Sequence, residues 1–312
     1  MVIPAYQAAD VIGQAVESAL DQTAPPYEII VCDDGSTDSI EEALKPYRER
    51  IVLVRKANGG AASAMNAAIN VASGEFISWL DADDVYEPER LEATCELALD
   101  RPDLDILMTD SYLEAGGAVV GRFCAETPFA TDDQRLAILD RCFIAWPAVR
   151  RSRVLGVGGM DESLFAFDWD LWIRLLFTGA RAGLVDVPLH RYRISNESQS
   201  GDRAAALRGR VAVLEKTMRT IDLSGKEREV AMRSLRQKRS RALVTEAEFA
   251  LRTGAAGRRR KALSVAVRPG FALTTRVRAG SAALVPRLAA VRLERIEART
   301  GRSRLRRSIP NK

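Results

Sequence analysis

Apolar and polar positions along the first hundred residues fall into short apolar runs separated by amphipathic stretches. Residues 1–6, Met-Val-Ile-Pro-Ala-Tyr, have the length and residue types of a buried strand, which Pro4 should stop from pairing further. Val11, Ile12, Ala15, Val16, Ala19 and Leu20 then recur at helical spacing behind Asp10, a residue type that caps helices. The same alternation repeats: a strand over 28–32, a helix over 38–47, a strand over 51–54, a small-residue helix over 61–72 opened by Asn58-Gly59-Gly60, and a strand from Phe76 to Leu80. Strand and helix alternating in this way predict an α/β domain with a parallel sheet covered by helices on both faces. Beyond Pro88 the pattern predicts a helix over 89–99, a strand over 105–109 and a helix over 131–143; Leu171, Trp172, Leu175 and Leu176 mark the packed face of another.

The residues that break the apolar pattern lie at strand ends. The Phe76–Leu80 run ends in Asp81, Asp83 and Asp84, and the 28–32 strand runs into Asp33-Asp34-Gly-Ser-Thr-Asp38. Carboxylates packed this closely repel one another and are best tolerated around a cation. Hard oxygen ligands suit Mg²⁺ or Mn²⁺, which bind through one or two carboxylates together with substrate phosphates. In open parallel sheets, ligands bind outside the carboxyl ends of the strands, where Tyr6, Asp34, Asn58, Gly59, Asp81 and Asp83 all fall. The competing reading is an acidic turn in which Asp84 starts the helix after Pro88. Asp168 carries two readings as well. It is an N-cap of the helix bearing Trp172, or a carboxylate partly desolvated among Phe165, Phe167 and Trp169, as a general base requires.

Charge divides the chain. Residues 1–200 hold 17 Lys and Arg against 33 Asp and Glu, a net −16, while residues 201–312 hold 29 against 9, a net +20. Two regions with different partners are therefore expected, an acidic one over 1–200 and a helical, Arg-rich one over 201–312. The chain has neither an apolar run of about 20 residues nor a charged-then-apolar opening, which predicts a cytosolic protein. Cys32, Cys95, Cys124 and Cys142 are scattered without metal-ligand spacing and read as reduced thiols. A single histidine, His190, with no G-x-S-x-G elbow, argues against a zinc centre or a serine triad. Neither G-x-G-x-x-G after the first strand nor G-x-x-x-x-G-K-[ST] occurs, which removes the main support for dinucleotide and P-loop sites.

Five stretches in register carry a resemblance: Val2-Ile-Pro-Ala-Tyr6; Glu28-Ile-Ile-Val with Asp33-Asp34-Gly-Ser-Thr-Asp38; Asn58-Gly-Gly with Ala64-Met-Asn66; Gly74-Glu-Phe-Ile with Leu80-Asp-Ala-Asp-Asp84; and Asp168-Trp-Asp-Leu-Trp-Ile-Arg174. Over residues 1–200 the chain resembles the family 2 glycosyltransferases, whose fold is the GT-A Rossmann-like sandwich. The resemblance implies inverting transfer from a nucleotide sugar, most often a UDP-sugar, with Mn²⁺ or Mg²⁺. It implies Asp83 as the metal ligand, Asp81 beside the ribose or donor sugar, and Asp34 on the base. It further implies that Tyr6 lies near the base, that Pro4, Ala5, Asn58 and Gly59 belong to the nucleotide-sugar site, and that Asp168 is the catalytic base. The acceptor would be a saccharide or lipid-linked hydroxyl in cell-surface polysaccharide assembly.

Four positions depart from the family pattern. Residue 1 falls inside the first strand, Met65 stands where Arg is frequent, Phe167 where Glu often precedes the base, and Ser195 where His is frequent. These departures leave open a second class of function, a catalytically silent nucleotide-sugar-binding or scaffold protein. A nucleotidyltransferase would need a basic Gly-rich loop after the first strand, and Ala5 to Asp10 holds no basic residue.

In the basic region Val285, Ala289, Leu293 and Ile296 form an apolar stripe bordered by Arg292, Arg295, Arg299, Arg302 and Arg306. Such a face suits the anionic inner surface of the cell membrane. A helical cap on the catalytic domain, an oligomer contact and a disordered tail are the other readings. Phe271 is the only aromatic from that position onward, which argues against nucleic acid.

Overall fold

The computed structural model describes residues 1–194, 203–253, 255–268, 271–286, 288–291 and 293. The chain divides into two units, Met1–Asn196 and Glu197–Pro310, each taken by itself here.

The first unit is built on strands β1 (Val2–Ala5), β2 (Ile30–Asp33), β3 (Val52–Arg55), β4 (Phe76–Ser78), β5 (Val85–Tyr86), β6 (Ile106–Ala115), β7 (Ala118–Arg122), β8 (Ala148–Arg150) and β9 (Ala182–Arg193). β1, β2 and β3 are parallel in the order β1-β2-β3, and a parallel bridge between Val2 and Trp79 carries β4 alongside β1. The sheet continues β4-β8-β6-β9-β5, with β7 paired to β6. β8 runs antiparallel between β4 and β6, and β5 and β7 are also antiparallel to their neighbours, so the parallel expectation holds for the first half and the second half is mixed.

Parallel strands buried on both faces need continuous apolar runs, and β1 and β2 supply them. Ile3, Ala5 and Val31 pack with Ile12, Ala15, Val16 and Ala19 of the helix Ile12–Leu20. The alternate residues Val2, Ile30 and Cys32 are also fully buried, on the face against which helix Ala61–Val71 packs. Pro4 pairs with Cys32 inside β1 rather than ending it. The helix expected over 38–47 is a short helix, Ile40–Leu44, continued by the 3-10 turn Lys45–Tyr47 that Pro46 favours. The one expected over 131–143 shrinks to Gln134–Asp140.

The second unit is helical. Arg203–Thr220 packs on Gly225–Thr253, and the shorter helices Arg258–Ala266 and Leu273–Leu284 follow. Ser224 and Glu227 form a reciprocal capping box at the start of the long helix, the Glu227 carboxylate accepting from the Ser224 amide at 2.8 Å and the Ser224 hydroxyl from the Glu227 amide at 3.3 Å. Ion pairs Arg239–Glu215 and Arg208–Glu246, at 2.6 and 3.0 Å, link the first two helices. Of the stripe expected over 285–306, Val285, Ala289 and Leu293 lie in the described part. Arg292, Arg295, Ile296, Arg299, Arg302 and Arg306 lie outside the described residues, as do Ser195 and the Asn196-Glu-Ser198 sequon.

Candidate active site

Adjacent strands lie about 4.8 Å apart, so the carboxyl ends of β2, β1 and β4 span only about 10 Å of one sheet edge. Three loops leave that edge. The first, after β1, carries Tyr6, which is 53% exposed, and Gln7, held at a left-handed φ of 51°. The Gln7 side-chain carbonyl accepts from the Thr37 and Asp38 amides at 2.8 and 3.1 Å, and the Asp38 carboxylate accepts from the Ala9 amide at 2.8 Å. These bonds tie the β1 loop to the β2 loop and leave the Tyr6 ring on the open side.

Asp34 follows β2 and is almost wholly buried. Its amide donates to the carbonyl of Ala5 at 2.8 Å, while Pro4 stays within the strand. Its carboxylate accepts from Lys56 Nζ at 2.7 Å and from the amides of Gly59 and Gly60 at 3.0 and 2.7 Å. Gly60, at φ 89°, is the N-cap of helix Ala61–Val71, so the amides at that helix start converge on Asp34. A side chain at Gly35 would collide with the Asn58 amide, its Cβ only 2.7 Å away, which is why a glycine follows the aspartate pair. Asn58 and Gly59 are exposed at the rim of this loop. Burial, and then the Asp34 charge, push the neighbouring Cys32 thiol up to about 11.

The acidic loop after β4 is held from behind. Asp84 is fully buried, and its carboxylate meets His190 Nε2 at 3.1 Å and the Arg193 amide at 2.8 Å; His190 Nδ1 in turn meets Ser111 Oγ at 3.1 Å. The helix after Pro88 begins at Arg90, with Glu89 as its N-cap, so Asp84 does not start it. The capping alternative for this loop therefore fails, and the carboxylate is a strut between the β4 loop and β9. Asp81 accepts from the indole of Trp146 at 3.1 Å, and Asp83 sits half-buried between these two fixed points.

Trp146 escaped the sequence reading. It has a left-handed φ of 44°, stacks on His190 and Tyr192 with centroids 4.7 Å away, and gives its carbonyl to the buried Arg90 guanidinium. Arg90 also reaches Thr109 and lies 4.2 Å above the Tyr86 ring. Burial raises the Tyr86 phenol, against the opposing Arg90 charge. Lys56, on Asp34, was missed as well; its only signal in sequence is a basic residue two positions before Asn58.

Asp168 is the second residue of helix Phe167–Phe177. The N-cap is Ala166, with no side-chain cap bond, so the capping reading of Asp168 fails too. One turn along, Trp172 shares its face and stacks on Trp79 at 4.7 Å, two residues before Asp81. The half-buried Asp168 is thereby carried on the helix face that turns to the end of β4. Trp169 faces the core instead, its indole on the Ile138 carbonyl at 2.8 Å.

The loop leading into this helix is clamped twice. Arg174 holds Asp170 at 2.7 Å and donates to the carbonyls of Val157 and Gly159, both at 2.7 Å. From the other side Asn66 accepts from the Met160 amide at 2.8 Å and donates to the Met160 carbonyl at 3.0 Å and to Glu162 at 2.9 Å.

Residues 1–154 match the family model described as glycosyl transferase family 2. The putative teichuronic acid biosynthesis glycosyltransferase TuaG of Bacillus subtilis is 30% identical over 208 residues, covering 65% of this chain and 81% of TuaG. The chain belongs to glycosyltransferase family 2. An uncharacterized glycosyltransferase of Rickettsia prowazekii is 29% identical over 184 residues, 56% of this chain and 57% of its own length, so the chain spans little more than half the length of that relative. In three dimensions the family 2 chain is similar to the S. aureus TarS 1–349 complex with UDP-GlcNAc, with TM-score 0.61, 16% identity and 90% of each chain covered. It is also similar to the mannosyltransferase PcManGT of Pyrobaculum calidifontis in complex with GDP-Man and Mn²⁺, with TM-score 0.60 and 17% identity, covering 99% of this chain and 84% of that one. These likenesses establish the GT-A fold.

The carboxylates after β4, Asp81 and Asp83, are donors of the chemistry that a divalent cation takes. Their atoms are hard carboxylate oxygens, and no group of three or more His, Cys, Asp or Glu among the described residues forms a protein-only cage. An ion there would complete its shell with phosphate oxygens and water.

Proposed function

We propose that the chain is an inverting, metal-dependent glycosyltransferase that moves a sugar from a UDP-sugar to a hydroxyl of a saccharide or lipid-linked acceptor in cell-surface polysaccharide assembly. The observation that carries the reading is the gathering of Tyr6, Asp34, Asp81 and Asp83 at one sheet edge, with Asp168 brought towards the end of β4 by the Trp172–Trp79 stack. UDP-GlcNAc and GDP-Man in the two structural neighbours, and teichuronic acid in the name of the Bacillus relative, support the donor and pathway classes.

The roles follow from the chemistry of each position. The exposed Tyr6 ring offers a stacking face for the base, with Pro4 and Ala5 fixing the strand beneath it. Asp34, its carboxylate held by Lys56 and by the Gly59 and Gly60 amides, is the acceptor for an imide N–H of the base. Asn58 and Gly59 border that position. Asp81, oriented by the Trp146 indole, faces the ribose or donor sugar, and Asp83 would hold Mn²⁺ or Mg²⁺. The cation supplies neutralisation of the charge that builds on the departing diphosphate. Asp168 takes the proton of the acceptor hydroxyl as that oxygen attacks the anomeric carbon, because an alcohol is otherwise too poor a nucleophile. A base on one face and a departing diphosphate on the other give inversion.

The test is Asp168→Asn with a panel of UDP-sugars and saccharide acceptors. UDP affinity should be unchanged while transfer falls by about 100-fold or more. A variant with normal turnover would remove Asp168 from the mechanism.

A further inference from the structure

The last helices of the described chain distribute their apolar residues in an unusual way. Helices Arg258–Ala266 and Leu273–Leu284 pack on one another and share a small core of Leu251, Ala262 and Ala283, with Ala282 and Leu293 against it. Val265 of the first helix is buried as well, but most of the other large aliphatic side chains face outward. Leu263 on the first helix and Val267 at its C-cap are 48% and 68% exposed, and Leu273 and Val277 on the second are 71% and 58% exposed. Each pair is four residues apart, so each forms one face of its helix. Leu284, at the end of the second helix, and Leu288 beyond it are also exposed. A helix pair whose small core leaves several leucines and valines exposed has apolar surface still to cover.

Charge identifies what covers it. From Phe249 to Leu293 the chain carries ten Lys and Arg and no Asp or Glu. A second copy of the same hairpin would bring like charge against like. Single-stranded nucleic acid would call for stacking aromatics, and this stretch offers only Phe249 and Phe271. An anionic bilayer satisfies both demands, taking the aliphatic faces at the acyl boundary and the guanidinium groups on lipid phosphates. No described helix is long and apolar enough to cross a membrane, so the hairpin would lie on the surface.

We propose that the hairpin Arg258–Leu284 is a membrane-surface dock for anionic lipid, with Leu263, Val267, Leu273 and Val277 as its inserting residues. The proposal does not rest on the glycosyl-transfer reading, and its test measures binding rather than turnover. The full chain is floated with phosphatidylcholine vesicles and with vesicles of equal parts phosphatidylcholine and phosphatidylglycerol. It should float with the anionic vesicles only, and added salt should release it. Leu273→Glu with Val277→Glu, and separately Arg259→Glu with Arg260→Glu, should each weaken flotation by about tenfold or more with the melting temperature unchanged. A Leu273→Trp variant should shift its fluorescence to the blue on the anionic vesicles. Three results would overturn the proposal: no flotation of the wild-type chain, flotation unchanged in both double variants, or a wild-type dimer in light scattering that Leu273→Glu with Val277→Glu converts to monomer.

Discussion

Asn66 gives the sharpest prediction from the site geometry. Its side chain makes a two-way amide pair with the backbone of Met160, a residue only 3% exposed, and adds a bond to the exposed Glu162. Each buried bond contributes about 1 kcal/mol net, and the exposed one little, so Asn66→Ala should remove about 2 kcal/mol of tether. At about 1.4 kcal/mol per factor of ten, that is at most about a 30-fold fall in the fraction of molecules with the loop seated. Arg174 still holds the Val157 and Gly159 carbonyls, so the expected fall in kcat is nearer tenfold. Gly159→Ala attacks the same contact, since residue 159 has φ 72° and a Cβ there would lie 2.7 Å from Asn66 Oδ1. The assay pairs kcat on the best UDP-sugar of the donor panel with UDP affinity and thermal unfolding. Both variants should lose turnover and about 4–8 °C of melting temperature while keeping UDP affinity. A variant that melts lower yet turns over as wild type would refute the link from this tether to Asp168. One that melts as wild type would refute the tether itself.

Two further substitutions probe the acidic loop. Asp84→Ala strips the buried His190 and the Arg193 amide of their acceptor and should destabilise the first unit by about 3 kcal/mol in denaturant unfolding; a loss below about 1 kcal/mol would contradict the strut. Trp146→Phe keeps the ring stack but deletes the indole N–H on Asp81. It should weaken UDP binding in Mn²⁺ by about five- to tenfold with little change in melting temperature, and unchanged affinity would show that Asp81 needs no such orientation.

What was legible in the sequence was what is local. The apolar runs at 28–32 and 76–80 mark buried sheet strands, and each delivers a carboxylate to the same edge by topology alone. The later half was harder to read because its contacts are long-range. Asp84 and His190 lie 106 residues apart, and Asp81 and Trp146 lie 65 apart. No periodicity links such partners. β9 is interrupted by Pro188 and by register shifts against β6, so its twelve residues show no clean alternation. Trp146 looks like an ordinary core aromatic in sequence; only its left-handed backbone and the direction of its indole give it a role. Asn66 was visible as part of a family motif, but its partner is a backbone 94 residues away.

Calorimetric titration of UDP into the full chain, with and without Mn²⁺ and alongside Asp83→Ala, tests the central claim most directly. The account predicts binding to the wild-type protein that strengthens markedly with Mn²⁺, and loss of that metal-dependent part in Asp83→Ala. Mn²⁺-independent UDP binding that Asp83→Ala leaves untouched, or failure of UDP, GDP and dTDP alike, would contradict it.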